Sequence, residues 1–566
     1  MAAMESLVNG ERAVVVIFVA GVVFSLPSSL LCHGLALSLL ALSALSLDVL
    51  ADSSNSFSFF KTRPGASSGI LLGAVTLPAL MLCKLTQMLR AIAMKEVEIE
   101  EFEHLTMQYW ATSACCLSVL VLLCMVTWCE PGNMRSLSLR STWHSKFSLS
   151  CIVLYTVLCC ASLHTLSLSG FNTVLKLMWM IFHGLAAVRL IQHLLNTFPS
   201  SASIGEALLL TSGLVLYLSD MLAFTIAKAC RLLITAEVVR YGSKRSEIGI
   251  IIQGMLLGLL LFPAVFKFVH QIWEWFSSKR YSESRTNNEI WKSLIFFSSL
   301  GFVMILIIPS WMQFILDFHM HPLLWGFSFV FSEPLKRLSL CIYWVIVICA
   351  SILKFYNISK NSKIERILLR KYYHLMAVSM FLPALIFQPK FLDLAFGAAL
   401  GVFMVLEIVR VWRIWPLGQP VHQFMNAFTD HRDSDILIVS HFSLLLGCAL
   451  PIWMSSGYSD RPLAPFAGIL SLGIGDTMAS MVGYKYGVLR WSKTGKKTIE
   501  GTAAGITSVL ATCSVLLPVL ASTGYIVTEH WSSLVVAVIV SGLLEAYTTQ
   551  LDNAFIPLVF YSLLCL

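Results

Sequence analysis

Long apolar runs separated by short polar loops are the dominant pattern of this 566-residue chain. A helix needs roughly 20 apolar residues to cross a bilayer, and the runs have about that length. Strands of a membrane barrel would alternate polar and apolar residues, whereas these runs are continuously apolar. The pattern therefore predicts an all-α fold, a polytopic transmembrane helical bundle with about 15–17 membrane helices. The expected spans lie near residues 12–28, 30–48, 69–92, 108–128, 149–169, 172–195, 206–230, 247–271, 291–316, 337–355, 372–388, 391–411, 434–454, 463–484, 499–523, 531–548 and 551–566.

The composition agrees with a membrane protein and argues against several other classes. Hydrophobic residues make up 57% of the chain and charged residues only 12%, against about 25% charged residues in a typical soluble domain. The net charge of +8 is modest, so we interpret it as juxtamembrane lysine and arginine rather than a nucleic-acid surface. The 15 cysteines include no C-x-x-C pair, which argues against a zinc site or a disulfide framework. No cleavable signal peptide is expected, because the first apolar run continues into a second.

The distribution of ionisable residues divides the chain into two regions. Residues 1–356 are expected to form an N-terminal multi-helix membrane region of unknown role. Residues 357–566 are expected to form a C-terminal membrane catalytic region, because clusters of ionisable residues interrupt its apolar runs. The clusters are ERILLRKYYH (365–374), LEIVRVWR (406–413), FTDHRDSD (428–435), GDTMAS (475–480), KYGVLRWSKTGKKTIEGT (485–502) and EAYTTQLDN (545–553).

Counting spans between these clusters places all of them on one face of the membrane. If Arg370 and Lys371 are cytosolic, each later pair of spans leaves the cytosol and returns to it. The turns on the opposite face are poorer in lysine and arginine, so the positive-inside rule assigns the cluster-rich face to the cytosol. We therefore expect a single site, assembled from several helix ends, on the cytosolic face.

The lysine-rich loop KYGVLRWSKTGKKT is the main candidate for binding phosphate. Gly495 lets the backbone bend close to a ligand, and Thr498 or Ile499 is expected to open the next helix, whose free N–H groups favour an anion. A Walker A loop is excluded, because it would require glycine at the position of Arg490. The alternative is a positive-inside loop or a contact with anionic lipids. The candidate phosphate ligands of the loop are Lys493, Gly495, Lys496, Lys497 and Thr498.

Asp476 lies within the apolar run LAPFAGILSLGIGDTMASMVGYKYG. A carboxylate in the hydrocarbon layer costs several kcal/mol unless it has a partner or faces water. One interpretation is a tightly packed helix with a satisfied aspartate, since Gly475, Ala479 and Gly483 form a stripe of small residues. The other is that Gly473 and Gly475 break the helix beside a cavity, where Asp476 holds a Mg²⁺ ion that bridges phosphates.

The segment EAYTTQLDN supplies two more carboxylates. Glu545, Thr549 and Asp552 are spaced i, i+4 and i+7 and are therefore expected on one helical face. That face is either a solvated helix end or the source of a second metal ligand or of the base for a hydroxyl proton, with Asp552 the candidate. Elsewhere, Glu407 and Arg410 are expected to pair with each other.

Taken in order along residues 365–566, these motifs resemble those of eukaryotic dolichol kinases, the CTP-dependent polyprenol kinases. The specific match is GDTMASMVGYKYG followed by KTGKKTIEGT, together with RKYYH, LEIVR, FTDHRDSD and EAYTTQLDNAFIPL. The block GKKTIEGT alone is less specific, because phosphatidate cytidylyltransferases and phytol kinases carry similar loops.

The resemblance implies a dolichol kinase of the endoplasmic reticulum membrane, multi-pass, with its site facing the cytosol. It implies transfer of the γ-phosphate of CTP to the hydroxyl of dolichol, with Mg²⁺ or another divalent cation, to make dolichyl phosphate for protein glycosylation. The predicted catalytic residues are Asp476, Asp552 and Lys497, with Asp476 and Asp552 as metal ligands. The predicted CTP- and phosphate-binding residues are Gly475, Thr477, Ser480, Lys493, Gly495, Lys496, Lys497, Thr498, Glu500 and Gly501. Further site candidates are Arg370, Lys371, His374, Glu407, Arg410, Asp430, Arg432, Asp433, Glu545, Gln550 and Asn553.

Three other functions fit the same residues. A cytidylyltransferase would also use CTP, a metal and a basic loop, but would transfer CMP to a lipid phosphate and release pyrophosphate. A polytopic transporter would suit charges within membrane helices, although its charges should line a path across the membrane. A non-catalytic lipid-binding scaffold would bind no CTP.

Overall fold

The computed structural model of the chain describes most of its length. The described residues are 9–53, 60–63, 65–94, 99–129, 139–165, 170–233, 246–277, 285–361, 366–426, 439–455, 460–491, 497–524 and 531–566. Within these ranges, eleven helices are long and apolar enough to cross a membrane, and five further apolar helices have 10–17 residues. The prediction of an all-α polytopic bundle is confirmed, and the chain is a multi-pass membrane protein.

The helices follow the apolar runs because a membrane-spanning backbone must satisfy its own hydrogen bonds. In chain order they are α1 (Gly10–Phe24), α2 (Leu31–Ser53), α3 (Ile70–Ala93), α4 (Ile99–Cys129), α5 (Leu139–Thr165), α6 (Gly170–Thr197), α7 (Ile204–Leu233), α8 (Glu247–Ser277), α9 (Arg285–Phe302), α10 (Ile308–Ile315), α11 (Pro322–Ser332), α12 (Pro334–Asn361), α13 (Arg366–Phe387), α14 (Pro389–Trp412), α15 (Gly418–Asn426), α16 (Val439–Ser455), α17 (Thr477–Tyr486), α18 (Ile499–Ser522), α19 (Trp531–Tyr547) and α20 (Asp552–Cys565). Two π-helical segments, Val303–Ile307 and Ile469–Asp476, directly precede α10 and α17.

The chain forms two compact units. The first contains residues 1–220, 353–382 and 446–566, and the second contains residues 221–352 and 383–445. The predicted division at residues 356 and 357 concerns function rather than compactness, and it stays a prediction.

Helix α3 is the most enclosed helix of the first unit. Protein buries 94% of its membrane-length window, and it packs against α2, α4 and α20. Near its end, Arg90 pairs with Asp460 at 3.2 Å and donates to the carbonyl oxygens of Cys565 and Leu566. The end of α20 is therefore held by an arginine of the N-terminal region.

The second unit has an aromatic core. Phe262 and Phe266 of α8 pack against Phe296 of α9, and Trp412 of α14 stacks on Phe266 with ring centroids 5.0 Å apart. Aromatic pairs of this kind are each worth about 0.5–1.5 kcal/mol beyond the area they bury.

Candidate active site

Asp476, the isolated acid of the apolar runs, is buried and paired. It ends the π-helical segment before α17, and only 3% of its surface is exposed. Lys371 Nζ donates a hydrogen bond to Asp476 Oδ2, and His374 Nδ1 lies 3.1 Å from the same oxygen. Lys371 and His374 are three residues apart on α13, so both reach the carboxylate from one helical face. These partners offset the several kcal/mol that an unpaired buried carboxylate would cost.

The protonation of His374 follows from its neighbours. Its Nδ1 lies 3.1 Å from Asp476 Oδ2 and 3.2 Å from the carbonyl oxygen of Leu472. Both neighbours are acceptors, so Nδ1 carries a proton and donates it. His374 therefore orients the carboxylate of Asp476.

The helix that carries Asp476 is continuous, so of the two interpretations the tightly packed helix with a satisfied aspartate agrees with the structure and the break at Gly473 and Gly475 does not. The segment is π-helical up to Asp476 and α-helical from the next residue. Glycine serves close packing here, since a Cβ on Gly473 would lie 2.1 Å from a methyl carbon of Val378 on α13. This close approach brings Asp476 within reach of Lys371.

The stripe of small residues on α17 faces the start of α18. A Cβ on Gly501 would lie 2.5 Å from the carbonyl oxygen of Ala479 and 3.0 Å from Gly483 Cα. Gly501, a predicted phosphate-binding residue, thus has a packing role. The contact holds the helix of Asp476 against the helix that follows the lysine-rich loop.

Glu545 and Asp552 lie on two different helices. Helix α19 ends at Tyr547 and α20 begins at Asp552, so the predicted single helical face through Glu545, Thr549 and Asp552 is wrong. The physical reason is tertiary, because three of the four residues between the helices, Thr549, Gln550 and Leu551, form hydrogen bonds with residues of the first 220 positions. These bonds replace the helical ones.

The charged side chains nevertheless converge. Lys371 interacts electrostatically with Asp476, Asp552 and Glu545. Glu545 interacts in the same way with Asp476, Lys497 and Asp552. We call these five residues, three carboxylates and two lysines, the acid–lysine cluster. It combines cations that suit phosphate oxygens with carboxylates that suit a metal ion or a proton.

Lys497 is fixed by the stem of the lysine-rich loop. Its carbonyl oxygen accepts from Trp491 N at 3.2 Å, and Ile499 N donates to the carbonyl oxygen of Leu489 at 2.8 Å. The side-chain Nζ of Lys497 donates to the carbonyl oxygen of Glu545. The loop stem therefore directs Lys497 towards the acid–lysine cluster.

Thr498 and Glu500 join the loop to the start of α18. Thr498 is the N-cap, and its Oγ1 accepts from Gly501 N at 3.2 Å, which confirms that the helix opens here. The carboxylate of Glu500 accepts from Leu489 N at 3.0 Å. Both predicted site residues thus shape the loop stem.

Two small polar residues of α17 lie next to Asp476. Ser480 Oγ is 3.5 Å from Asp476 Oδ1. Thr477 is 1% exposed, and its hydroxyl has no hydrogen-bond partner among the residues that the structure describes. The Ser480 hydroxyl therefore adds a polar atom beside Oδ1 of the Asp476 carboxylate.

The other predicted residues are placed as follows. Those that lie outside the described residues are Lys493, Gly495, Lys496, Asp430, Arg432, Asp433 and the side chain of Arg370. Glu407 and Arg410 belong to the second unit and pair with each other at 2.6 and 2.8 Å, as expected. Gln550 and Asn553 are buried, and Gln550 bonds to Ser67 and Ser203.

A cleft opens beside the acid–lysine cluster. Glu545 and Gly475 line it together with small residues of α18 and α19, including Gly505 and Ser541. Its remaining lining is mostly apolar, including Val538 and Phe560, with the hydroxyls of Ser471 and Thr502. A small cleft with this lining suits a single hydroxyl group at the end of an apolar chain.

The donor set fits a magnesium ion that also binds phosphate. Within the described ranges, no group of three His, Cys, Asp or Glu residues can hold a metal by itself. Mg²⁺ typically uses only one or two carboxylates and completes its shell with water and substrate phosphates. Asp476 and Asp552, which both interact electrostatically with Lys371, are two carboxylates of the kind such an ion uses.

Three residues for which the sequence predicted no role, Arg63, Ser203 and Glu206, contact the segment between Glu545 and Asp552. The signal available was a charged residue at the border of an apolar run. That signal is shared by snorkelling residues of many membrane helices, so it identifies no partner.

The comparisons with known proteins agree on one family. The family model described as dolichol kinase matches residues 149–508. The chain is 64% identical over 564 residues to dolichol kinase EVAN of Arabidopsis thaliana, covering 99% of both chains. It is 32% identical over 421 residues to the dolichol kinase of Homo sapiens, 71% of each chain. It is 33% identical over 287 residues to dolichol kinase sec59 of Schizosaccharomyces pombe, 48% of this chain and 55% of the relative. No solved structure matches the chain.

Proposed function

Because the chain belongs to the dolichol kinase family, we propose that it transfers the γ-phosphoryl group of CTP to the hydroxyl of dolichol. The products are dolichyl phosphate and CDP. The observation that carries this proposal is the acid–lysine cluster beside a largely apolar cleft. Phosphoryl transfer depends mainly on positioning and on neutralising charge, and the cluster supplies groups for both.

The triphosphate is proposed to lie between Lys497 and Lys371, against the start of α18. Lys497 donates to the backbone carbonyl oxygen of Glu545 and interacts electrostatically with its carboxylate, and the N-terminus of a helix favours an anion. The choice of CTP rests on the family resemblance of the motifs. The loop around Arg490 has no Walker A pattern, so the triphosphate of the phosphate donor is bound by contacts other than those of a Walker A loop.

A divalent cation, when bound by Asp476 and Asp552, supplies charge neutralisation at the phosphates. Lys371 and His374 contact Oδ2 of Asp476, so Oδ1 is the oxygen proposed to face the cation. His374 keeps the carboxylate in this orientation.

The hydroxyl end of dolichol is proposed to enter the cleft. Glu545 lines the cleft, and we propose that its carboxylate accepts the hydroxyl proton. The hydroxyl oxygen bonds to the γ-phosphorus as the bond to the β–γ bridging oxygen breaks, and CDP leaves. Apolar walls around Val538 and Phe560 exclude water, which would otherwise compete as the acceptor.

We expect purified protein with dolichol and Mg²⁺ to place the γ-phosphate of CTP on the lipid. CTP labelled at the γ-position should give labelled lipid, and CTP labelled at the α-position should not. Among CTP, UTP, GTP and ATP, we expect kcat/KM for CTP to be at least about tenfold higher, the equivalent of one well-placed hydrogen bond. Thin-layer separation of the lipid extract gives both results.

The two labels also separate the rivals. If the lipid carries the α-label and pyrophosphate carries the γ-label, the activity is that of a cytidylyltransferase and not of a kinase. Absence of label from the lipid with either donor would contradict group transfer altogether.

The active site is proposed to face the cytosol from the endoplasmic reticulum membrane, where its product serves protein glycosylation. Support comes from the span count, which puts the lysine-rich face on the cytosolic side. A water-soluble nucleotide and a bilayer-resident alcohol must meet at such a boundary.

This orientation predicts the state of the sequon Asn357-Ile358-Ser359, the only N-x-[ST] in the chain. It should carry no glycan, so glycosidase treatment of microsomal protein should leave its electrophoretic mobility unchanged. An impermeant maleimide should label a Ser359→Cys variant in sealed microsomes above the background of the native cysteines. A glycan, or labelling only after the membrane is opened, would put the site on the lumenal face.

A further inference from the structure

The segment Thr548–Leu551, which links the two carboxylates Glu545 and Asp552, is held by residues of the N-terminal region. Arg63 donates to the carbonyl oxygen of Thr549 at 3.1 Å. Glu206 Oε1 accepts from Leu551 N at 2.7 Å. Arg63 and Glu206 pair with each other at 2.6 Å, with side chains 6% and 3% exposed. The buried Arg63–Glu206 pair therefore binds the segment twice, with Arg63 at the carbonyl oxygen of Thr549 and Glu206 at the N–H of Leu551.

Further hydrogen bonds fix the same segment. Gln550, 1% exposed, donates to the carbonyl oxygen of Ser67 at 2.9 Å and accepts from Ser203 Oγ. Ser67 N donates to Thr549 Oγ1 at 3.0 Å, and Glu11 accepts from Thr549 N at 3.3 Å. The backbone between the two carboxylates thus takes its shape from residues far away in the chain.

The bond to Leu551 has a direct geometric consequence. Leu551 is the N-cap of α20, and its side chain supplies no capping bond. Asp552 is the first residue of that helix. Glu206 therefore fixes the backbone one residue before the catalytic candidate.

From these contacts we infer that Arg63 and Glu206 are positioning residues, which set the placement of Asp552 relative to Asp476 and Lys371. A buried ion pair contributes little net stability compared with apolar residues of similar volume. Its value here is geometric, because a shift of about 1 Å in a reacting group can lower a rate about 10²-fold. The inference rests on the proposed role of Asp552 in phosphoryl transfer.

The chain provides a matched control for Arg63. Arg90 also belongs to the N-terminal region, pairs with a carboxylate, Asp460, and donates to carbonyl oxygens at the end of α20. Arg63 acts at the beginning of α20, next to Asp552, and Arg90 at its other end. Alanine at either position removes the same chemistry and leaves one carboxylate without its arginine.

We expect Arg63→Ala to lower kcat about 10- to 100-fold while KM for CTP changes less than about threefold. Arg90→Ala should also lower the thermal stability in detergent, by less than Arg63→Ala because the Arg90 side chain is 29% exposed and that of Arg63 6%, and keep kcat within about twofold. Arg63→Lys, which keeps the charge but loses the forked geometry, should recover part of kcat. Because Arg63→Lys is milder, it also gives a result if Arg63→Ala does not fold.

A double variant tests whether Arg63 acts through Asp552. In the Asp552→Asn background, Arg63→Ala should cause little further loss of the residual rate, because non-additivity marks residues that act as a unit. Equal losses of kcat from Arg63→Ala and Arg90→Ala would overturn the inference, as would an undiminished effect of Arg63→Ala in the double variant. If Asp552→Asn is impaired and Arg63→Ala is not, only this inference fails. If Asp552→Asn is fully active, the proposed role of Asp552 fails as well.

Discussion

Replacing Asp476 by asparagine will lower kcat about 10³-fold, the typical effect of losing one preorganised electrostatic group in an enclosed site. The amide keeps the shape of the side chain but carries no charge, so it holds a divalent cation more weakly and does not balance Lys371. Steady-state transfer of γ-phosphate from CTP to dolichol, with the purified variant in detergent, measures the effect. Wild-type activity in the variant would remove Asp476 from the mechanism.

The same change also disturbs the fold, so stability must be measured beside activity. Asp476→Asn leaves the charge of Lys371 without its buried partner, which costs about 3–5 kcal/mol in comparable pairs. Replacing Lys371 by methionine in the same protein removes that uncompensated charge and should restore the thermal midpoint. Activity should stay lost in the double variant, which separates the chemical role from the structural one.

A second aspartate provides the matched control for this experiment. Asp460 is paired with Arg90, with its side chain 11% exposed, and it belongs to the same unit. Asp460→Asn should lower stability and leave kcat within about twofold. Comparable losses of kcat in Asp460→Asn and Asp476→Asn would mean that any disturbed ion pair of this unit inactivates the enzyme.

Lys497→Ala should lower kcat/KM for CTP about 10²-fold, since a hydrogen bond to a charged group contributes about 1.5–3 kcal/mol. Nζ of Lys497 donates to the backbone carbonyl oxygen of Glu545, and a bound phosphate provides a stronger acceptor. Lys497→Arg keeps the charge and should recover part of the loss. Initial rates over a range of CTP concentrations separate kcat from KM.

Lys485 is the control for Lys497. It lies in the same run of basic residues, but it is exposed and lies over the ring of Tyr486 at 5.1 Å. Lys485→Ala should change kcat/KM less than about twofold. Equal effects at Lys485 and Lys497 would indicate a general attraction of the basic face for nucleotides, without a specific contact at Lys497.

The sequence predicted the features that follow from local rules. Apolar runs predicted the membrane helices because the thickness of the bilayer fixes their length and composition. The position of Asp476 inside such a run predicted a partner, because an unpaired carboxylate is costly there. Thr498 was recognised as a helix start because threonine caps helices through its side-chain oxygen.

The features that sequence reasoning missed depend on distant contacts. The segment after Tyr547 contains no glycine or proline to end a helix, so a continuous helix through Asp552 was the natural expectation. Helix α19 ends at Tyr547, and the residues after it bond to distant positions, as when Glu206, 345 positions away, accepts from Leu551 N. In a sequence, a glutamate near the start of an apolar run looks the same whether its carboxylate contacts water or another segment of the chain.

The π-helical segment Ile469–Asp476 and α17 differ in how they tolerate a change of length. Hydrogen bonds to the fifth residue accommodate an extra residue that an α-helix would exclude, so the loss of one residue from the π-helical segment lets it relax to an α-helix with the flanking turns nearly in register. The loss of one residue from α17 would instead turn everything on one side of the deletion by about 100° relative to the other. Asp476 and the small residues of α17 could then no longer face α13 and α18 together. Length is therefore constrained in α17 as tightly as side-chain identity, whereas the π-helical segment can lose a residue.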